Sequence, residues 1–239
     1  MIVLRYNSEG GPGHVRLVTQ AAHARLAGAL ARCWDVSLPQ PVLEAIDQHD
    51  DPWIETDASL RLDEEGGVYD FMTLPLDERL ALYTRGIDAM EDPRVALLTS
   101  LHYVRLIKGQ ASEAWVAHER ARQRSLAAAL ALDDATLATH LDWLRFFDVL
   151  SLYVCMTPPG ASAAGRPYWL SPEVFARDPQ GRRFVPRWGG PEHLVLEGAP
   201  MEEVTFALPC TDRPLDERGG VDRRAAAASA LQHMVITPG

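Results

Sequence analysis

The 239-residue sequence has few cysteines and a single lysine, Lys108. Its cysteines at positions 33, 155 and 210 lie far apart without C-x-x-C spacing, which disfavours a disulfide framework or a zinc knuckle. The most apolar run, 146–156, contains Asp148 and is much shorter than the roughly 20 residues that span a membrane. The opening residues become polar too soon for a signal peptide. We therefore expect a cytoplasmic protein without a membrane partner.

Several motifs that would assign a function directly are also missing. The Gly-Gly-Pro-Gly run at 10–13 lacks a following Lys-Ser/Thr and precedes a predicted strand, which indicates a turn. The chain has no G-x-S-x-G nucleophile elbow, and its cysteines lack a local activating motif. A net charge of -10 and the lack of a basic stripe argue against a nucleic-acid partner.

Helical periodicity is present over much of the chain. The composition, 47% hydrophobic and 23% charged, fits a single globular domain over residues 1–239. Apolar spacing predicts a helical core over 19–157, whereas 1–18 and 161–239 contain short alternating segments among Pro and Gly residues. The sequence thus predicts a mainly α (α+β) fold, a helical bundle with a small peripheral antiparallel β-sheet from the two terminal segments.

Side chains that are able to bind a metal lie on the inward faces of four predicted helices. Each could instead be a hydrogen-bonded core histidine or an aspartate paired with a buried arginine. Asp148 is the most informative, because an ionised carboxylate on an apolar stripe is costly unless it is paired or coordinated. Mixed nitrogen and oxygen donors suit a divalent ion such as Mn, Mg, Co, Zn or Fe. The candidate ligands are His23, His49, Asp50, His102 and Asp148.

The order of these residues over 19–155 resembles the HD-domain superfamily of metal-dependent phosphohydrolases, with a first histidine, a His-Asp pair and a distant aspartate. This resemblance implies an HD-domain-like bundle in which His23, His49, Asp50 and Asp148 bind the metal. The chain is also similar to a bacterial family of unknown function, and this likeness does not indicate an activity. That second likeness rests on the segments around 23, 49–53, 69–71, 100–102 and 147–152.

A metal at this position predicts a hydrolase that cleaves a phosphate ester with an activated water. Asp51 or His102 would orient or deprotonate that water. The expected partner is a small anionic molecule, and the residues predicted to bind it are Arg25, Arg61, Arg105 and Lys108. Two alternatives stay open, a diiron oxygenase on the same scaffold and a non-catalytic sensor or binding protein that keeps the metal for stability. Assembly as a homodimer also stays open.

Overall fold

The computed structural model describes residues 1–7, 13–107, 109–110, 112–159 and 166–239. The predicted turn at 10–13 lies, except for Gly13, outside these residues. The strands are β1 (Ile2–Asn7), β2 (Gly13–Val18), β3 (Val185–Gly190), β4 (His193–Glu197), β5 (Val204–Pro214) and β6 (Ala228–Thr237). The helices are α1 (Gln20–Cys33), α2 (Gln40–Gln48), α3 (Ile54–Asp57), α4 (Leu76–Asp88), α5 (Pro93–Leu106), α6 (Glu113–Ala129), α7 (Asp134–Met156) and α8 (Pro172–Phe175).

Local sequence signals account for the starts of the main helices. Thr19, Asp92 and Asp133 precede α1, α5 and α7, and each side chain accepts a hydrogen bond from a backbone N–H of the first turn. Such caps satisfy N–H groups that have no partner within the helix. The predicted N-terminal hairpin is confirmed, since β1 and β2 pair in antiparallel register.

The predicted fold class is wrong. The chain is about 46% helical and 23% strand, and its six-stranded sheet curls into a half-barrel, so the protein has an α/β fold. The strand order is β1-β2-β5-β6-β4-β3, and β4 runs parallel to β6. The mainly helical HD-like bundle with a small peripheral antiparallel sheet does not describe this arrangement.

The sheet belongs to the main core rather than to the periphery. Leu194, Leu208 and Ile236 from the sheet are buried in the same hydrophobic cluster as Leu26 and Phe147 from the helices. The strands were underestimated because β3 and β5 contain prolines, and because β6 begins in an alanine-rich stretch that indicates a helix. Pairing over a long sequence separation overrides these local preferences.

Helix packing places the end of α2 in the interior. Helix α2 contacts α1, α5 and α7, and a short 3₁₀ helix over 51–53 follows it. Helix α4 approaches that 3₁₀ helix closely at Gly86, where an added Cβ would lie 2.2 Å from the Cβ of Pro52. None of the helices in the described part of the chain is both long and apolar enough to cross a membrane.

Candidate metal centre

Nitrogen and oxygen donors from three helical elements converge in the interior. His23 comes from α1, His49 and Asp50 follow α2, and Asp148 comes from the middle of α7. The Nε2 atom of His23 lies 2.7 Å from Oδ2 of Asp50 and 4.0 Å from Oδ1 of Asp148. The Nε2 atom of His49 lies 3.6 Å and 3.5 Å from the same two oxygens. These separations suit donors that surround one ion at about 2.0–2.2 Å each.

The far nitrogen of each imidazole is held by a hydrogen-bond acceptor. The Ser151 hydroxyl donates to the backbone carbonyl of Asp148 and therefore accepts from Nδ1–H of His23, both at 2.9 Å. Nδ1–H of His49 donates to the carbonyl of Ile46 at 2.8 Å. Both Nε2 atoms consequently face the carboxylates, which is the orientation of a metal-ligating histidine with a fixed tautomer.

His23, His49, Asp50 and Asp148 form one cluster, whose electrostatics favour a bound positive charge. The 2.7 Å separation of Nε2 of His23 and Oδ2 of Asp50 requires a proton or a metal ion between these two atoms. Burial lowers the pKa of His49, but Asp50 and Asp148 outweigh this effect and raise the pKa to about 9. Burial works against ionisation of Asp50 and Asp148, yet the surrounding histidines hold the pKa of both below the ordinary carboxyl range.

Tyr103 fixes the orientation of Asp50. Its hydroxyl, fully buried, lies 2.7 Å from the carbonyl oxygen of His49 and 3.1 Å from Oδ1 of Asp50, so one O–H serves both acceptors. The Tyr103 ring stacks on Tyr83 with 3.7 Å between ring centroids. Asp50 therefore presents its other oxygen, Oδ2, to the two histidines.

His102 lies beside the cluster, near the oxygen of Asp148 that is not paired with His23. Its Nε2 is 3.7 Å from Oδ2 of Asp148, and its ring contacts His49 edge to face at 5.3 Å between centroids. Burial lowers the pKa of His102 to about 4. The charge of Asp148 raises this pKa, and the charge of His49 lowers it. Its Nδ1 is buried without a hydrogen-bond partner among the described residues. A neutral imidazole adjacent to the cluster follows from this environment.

Three members of the cluster, together with His102, form the floor of a cavity of about 640 Å³. Its volume is in the range of sites that hold a small molecule. His23, Asp50, His102 and Asp148 line one side of the cavity. Three arginines line it as well, namely Arg79, Arg105 and Arg145. Aromatic side chains complete the wall, namely Trp53, Phe71, Tyr83 and Trp169.

Several predicted site residues lie elsewhere. The carboxylate of Asp51 accepts two hydrogen bonds from Nη2 of Arg25, at 2.8 Å and 2.9 Å, so these two residues occupy each other outside the cavity. Arg61 forms an ion pair with Glu78, 2.5 Å apart, and it also lies outside the cavity. Lys108 lies outside the described residues. Among the predicted substrate-binding residues in the described part of the chain, Arg105 is the one that lines the cavity.

The prediction from sequence missed Arg79 and Arg145. Arg145 precedes Asp148 by three positions, and Arg79 precedes the inward-facing Tyr83 by four, so each shares a helix face with a cavity residue. That spacing was available in the sequence. Arginine on a helix surface is usually solvated, so this spacing alone does not identify a cavity residue.

One atom in particular fits the role of a metal ligand. Nε2 of His49 is buried and has no hydrogen-bond partner in the described structure, which is unusual for a buried nitrogen and is expected of a metal ligand. His23, His49 and Asp148 each offer a donor atom within 4.8 Å of the others. The fold and site thus define an α/β protein with a buried histidine–carboxylate cluster below an arginine-lined cavity.

The comparisons with known proteins give the family. The model of the family described as "Protein of unknown function (DUF3891)" matches residues 1–217, so the chain belongs to this family. This agrees with the similarity to a family without assigned activity that the sequence indicated. No curated protein and no solved structure matches the chain. None of these comparisons relates it to the HD-domain superfamily.

Proposed function

We propose that the protein is a metal-dependent hydrolase that cleaves a small anionic phosphate ester. The proposal rests on one observation, the convergence of two imidazole Nε2 atoms and two carboxylates below a cavity that carries three arginines. The order of the donors along the chain supports HD-type metal chemistry, although the fold differs from an HD bundle. The cation would be a divalent ion such as Mn, Mg, Co, Zn or Fe.

The residues of the chain have separable roles in this proposal. His23, His49, Asp50 and Asp148 hold the cation, which supplies Lewis acidity for a phosphoryl oxygen and for water when it is bound. His102 lines the cavity as a neutral imidazole and can orient or deprotonate a water molecule there. Asp51 is unsuited to that role because Arg25 engages both of its oxygens.

The alternatives from the sequence are less well supported. A diiron oxygenase needs ligands for a second ion, and the described residues contain a single group of three or more metal-binding side chains. His102 and Asp148 are the remaining candidates for a second ion, and two ligands do not complete a site. A non-catalytic protein that keeps the metal for stability uses the same ligands, so experiment must separate it from the hydrolase.

Asp50→Ala tests the proposal most directly. Elemental analysis of purified wild type is expected to find about one divalent metal per chain, since one cluster supplies four donors. Asp50→Ala should lose the metal while circular dichroism retains most helical signal. Asp134→Asn, an exposed carboxylate at the start of α7, is the control and should retain it. A full complement of metal in Asp50→Ala would contradict the ligand set.

Hydrolysis is measured on the metal-loaded wild type with a generic phosphomonoester and a phosphodiester. Turnover that disappears in Asp50→Ala and persists in Asp134→Asn supports the hydrolase. A metal-loaded protein with no turnover, but with a large loss of thermal stability on chelation, would identify a non-catalytic metal protein. Two iron atoms per chain with charge-transfer absorbance would identify the oxygenase.

A further inference from the structure

Three guanidinium groups enter the cavity from three different helices. Arg79 lies on α4, Arg105 on α5 and Arg145 on α7. Arg105 follows His102 by three positions, and Arg145 precedes Asp148 by three. Both arginines are therefore one helical turn from a residue of the cavity floor. This arrangement places positive charge beside the cluster in a protein whose net charge is -10.

We propose that Arg79, Arg105 and Arg145 form a clamp that binds the phosphoryl group of the substrate. This inference rests on the proposed function and assigns the substrate class and the residues that recognise it. The substrate is a phosphorylated small molecule whose phosphoryl group is held between the clamp and the histidine–carboxylate cluster.

The clamp arginines retain hydrogen-bond donors that no protein carboxylate uses. The side chain of Arg105 forms no ion pair or hydrogen bond with a residue in the described ranges. Arg79 donates from Nη2 to Gln110 at 2.9 Å, and its buried Nε has no partner there. Arg145 makes one long contact, 3.4 Å, with the exposed Asp142. The buried Nε–H of Arg79 is costly without an acceptor, so an anionic ligand would stabilise it. Arg105 is exposed and Arg145 is partly exposed, and their donors line the same cavity.

Repulsion among the arginines points to the same ligand. Arg105 and Arg145 line the same cavity, and burial and the charge of Arg105 both lower the pKa of Arg145. The charge of Asp148 also reaches Arg145, but no ion pair within 4.0 Å joins the two among the described contacts. An anion between the two guanidinium groups relieves their repulsion.

The geometry favours a phosphoryl group over a carboxylate. One guanidinium fork satisfies the two oxygens of a planar carboxylate, whereas a tetrahedral phosphoryl group has three peripheral oxygens directed apart. Forks from α4, α5 and α7 can meet these oxygens from separate directions. A cavity of about 640 Å³ has room for a small molecule around that group.

The clamp is tested by anion binding, which does not require hydrolysis. Titration calorimetry of the full chain after metal removal with a chelator measures the affinity for inorganic phosphate, pyrophosphate and citrate. Arg105→Ala and Arg145→Ala should each weaken phosphate or pyrophosphate binding by about tenfold or more, because each removes a charge-assisted hydrogen bond. Arg105→Lys should fall between wild type and alanine, since it keeps the charge and loses the fork.

Arg124→Ala is the matched control. Arg124 is an exposed arginine of α6 outside the cavity, and its removal changes the net charge equally. It should leave anion affinity unchanged. Circular dichroism of all variants confirms that the fold is retained.

The results separate failure of the clamp from failure of the hydrolase. Absence of phosphate and pyrophosphate binding in the wild type, equal affinity in both alanine variants, or tighter binding of citrate would overturn the clamp. If these variants lose anion binding but the wild type cleaves no phosphoester, the result supports the clamp and contradicts the hydrolase. If both alanine variants hydrolyse the substrate with an unchanged KM, the result supports the hydrolase and contradicts the clamp.

Discussion

Removal of the Ser151 hydroxyl probes how the candidate metal centre is held together. This hydroxyl accepts from Nδ1–H of His23 and donates to the backbone carbonyl of Asp148, so it joins α1 to α7 directly behind the cluster. Ser151 and His23 are fully buried, which leaves no water to replace the lost acceptor. Ser151→Ala therefore leaves a buried imidazole N–H without a partner.

The structure sets the size of two separate effects. A buried donor without its acceptor costs about 1–3 kcal/mol in the free energy of unfolding. The ring of His23 also loses the contact that fixes its tautomer and directs Nε2 towards Asp50. Loss of such a supporting contact lowers metal affinity by about 10- to 100-fold. We expect Ser151→Ala to show both losses.

Ser100→Ala is the control that separates the two effects. The Ser100 hydroxyl is also fully buried and donates to Oε2 of Glu119 at 2.7 Å, but it has no contact with the cluster. Urea unfolding of metal-free protein should show a comparable loss of stability in both variants. Competition with a chelating dye should show weaker metal binding in Ser151→Ala alone. Wild-type metal affinity in Ser151→Ala, with stability lowered as in Ser100→Ala, would refute the proposed role of the hydroxyl.

Two further predictions concern the surrounding fold. Gly86→Ala should destabilise the protein by about 1–3 kcal/mol through its clash with Pro52, although alanine ordinarily favours a helix. Gly190→Ala is the control, because its added Cβ meets no atom within 4 Å, and it should change the stability in urea little. Hydrogen bonds from Trp34 and Arg182 outweigh burial and lower the pKa of Asp178, so its contribution to stability is present at neutral pH and lost as the pH falls below about 4. The difference in unfolding free energy between wild type and Asp178→Asn should therefore shrink between pH 7 and pH 3, and a constant difference would contradict this reasoning.

The residues of the candidate centre could be found from the sequence because helical periodicity is a local signal. His23 shares a face with apolar residues of α1, and Asp148 lies within the apolar stripe of α7, so both must point inward. The same reasoning could not place Asp51 and Arg25. Their mutual pairing depends on how α1 and α2 pack, which no local pattern reports.

The sequence alone determined where α1, α5 and α7 start, through the side chains that cap them, and that these helices bury His23, His102 and Asp148. Only the tertiary structure decided that the terminal segments form one curled sheet within the core, and that Arg79 and Arg145 line the cavity with Arg105. The physical reason is the range of the interactions. Capping and helix periodicity act within a few residues, whereas strand pairing and the lining of a cavity depend on contacts between distant parts of the chain.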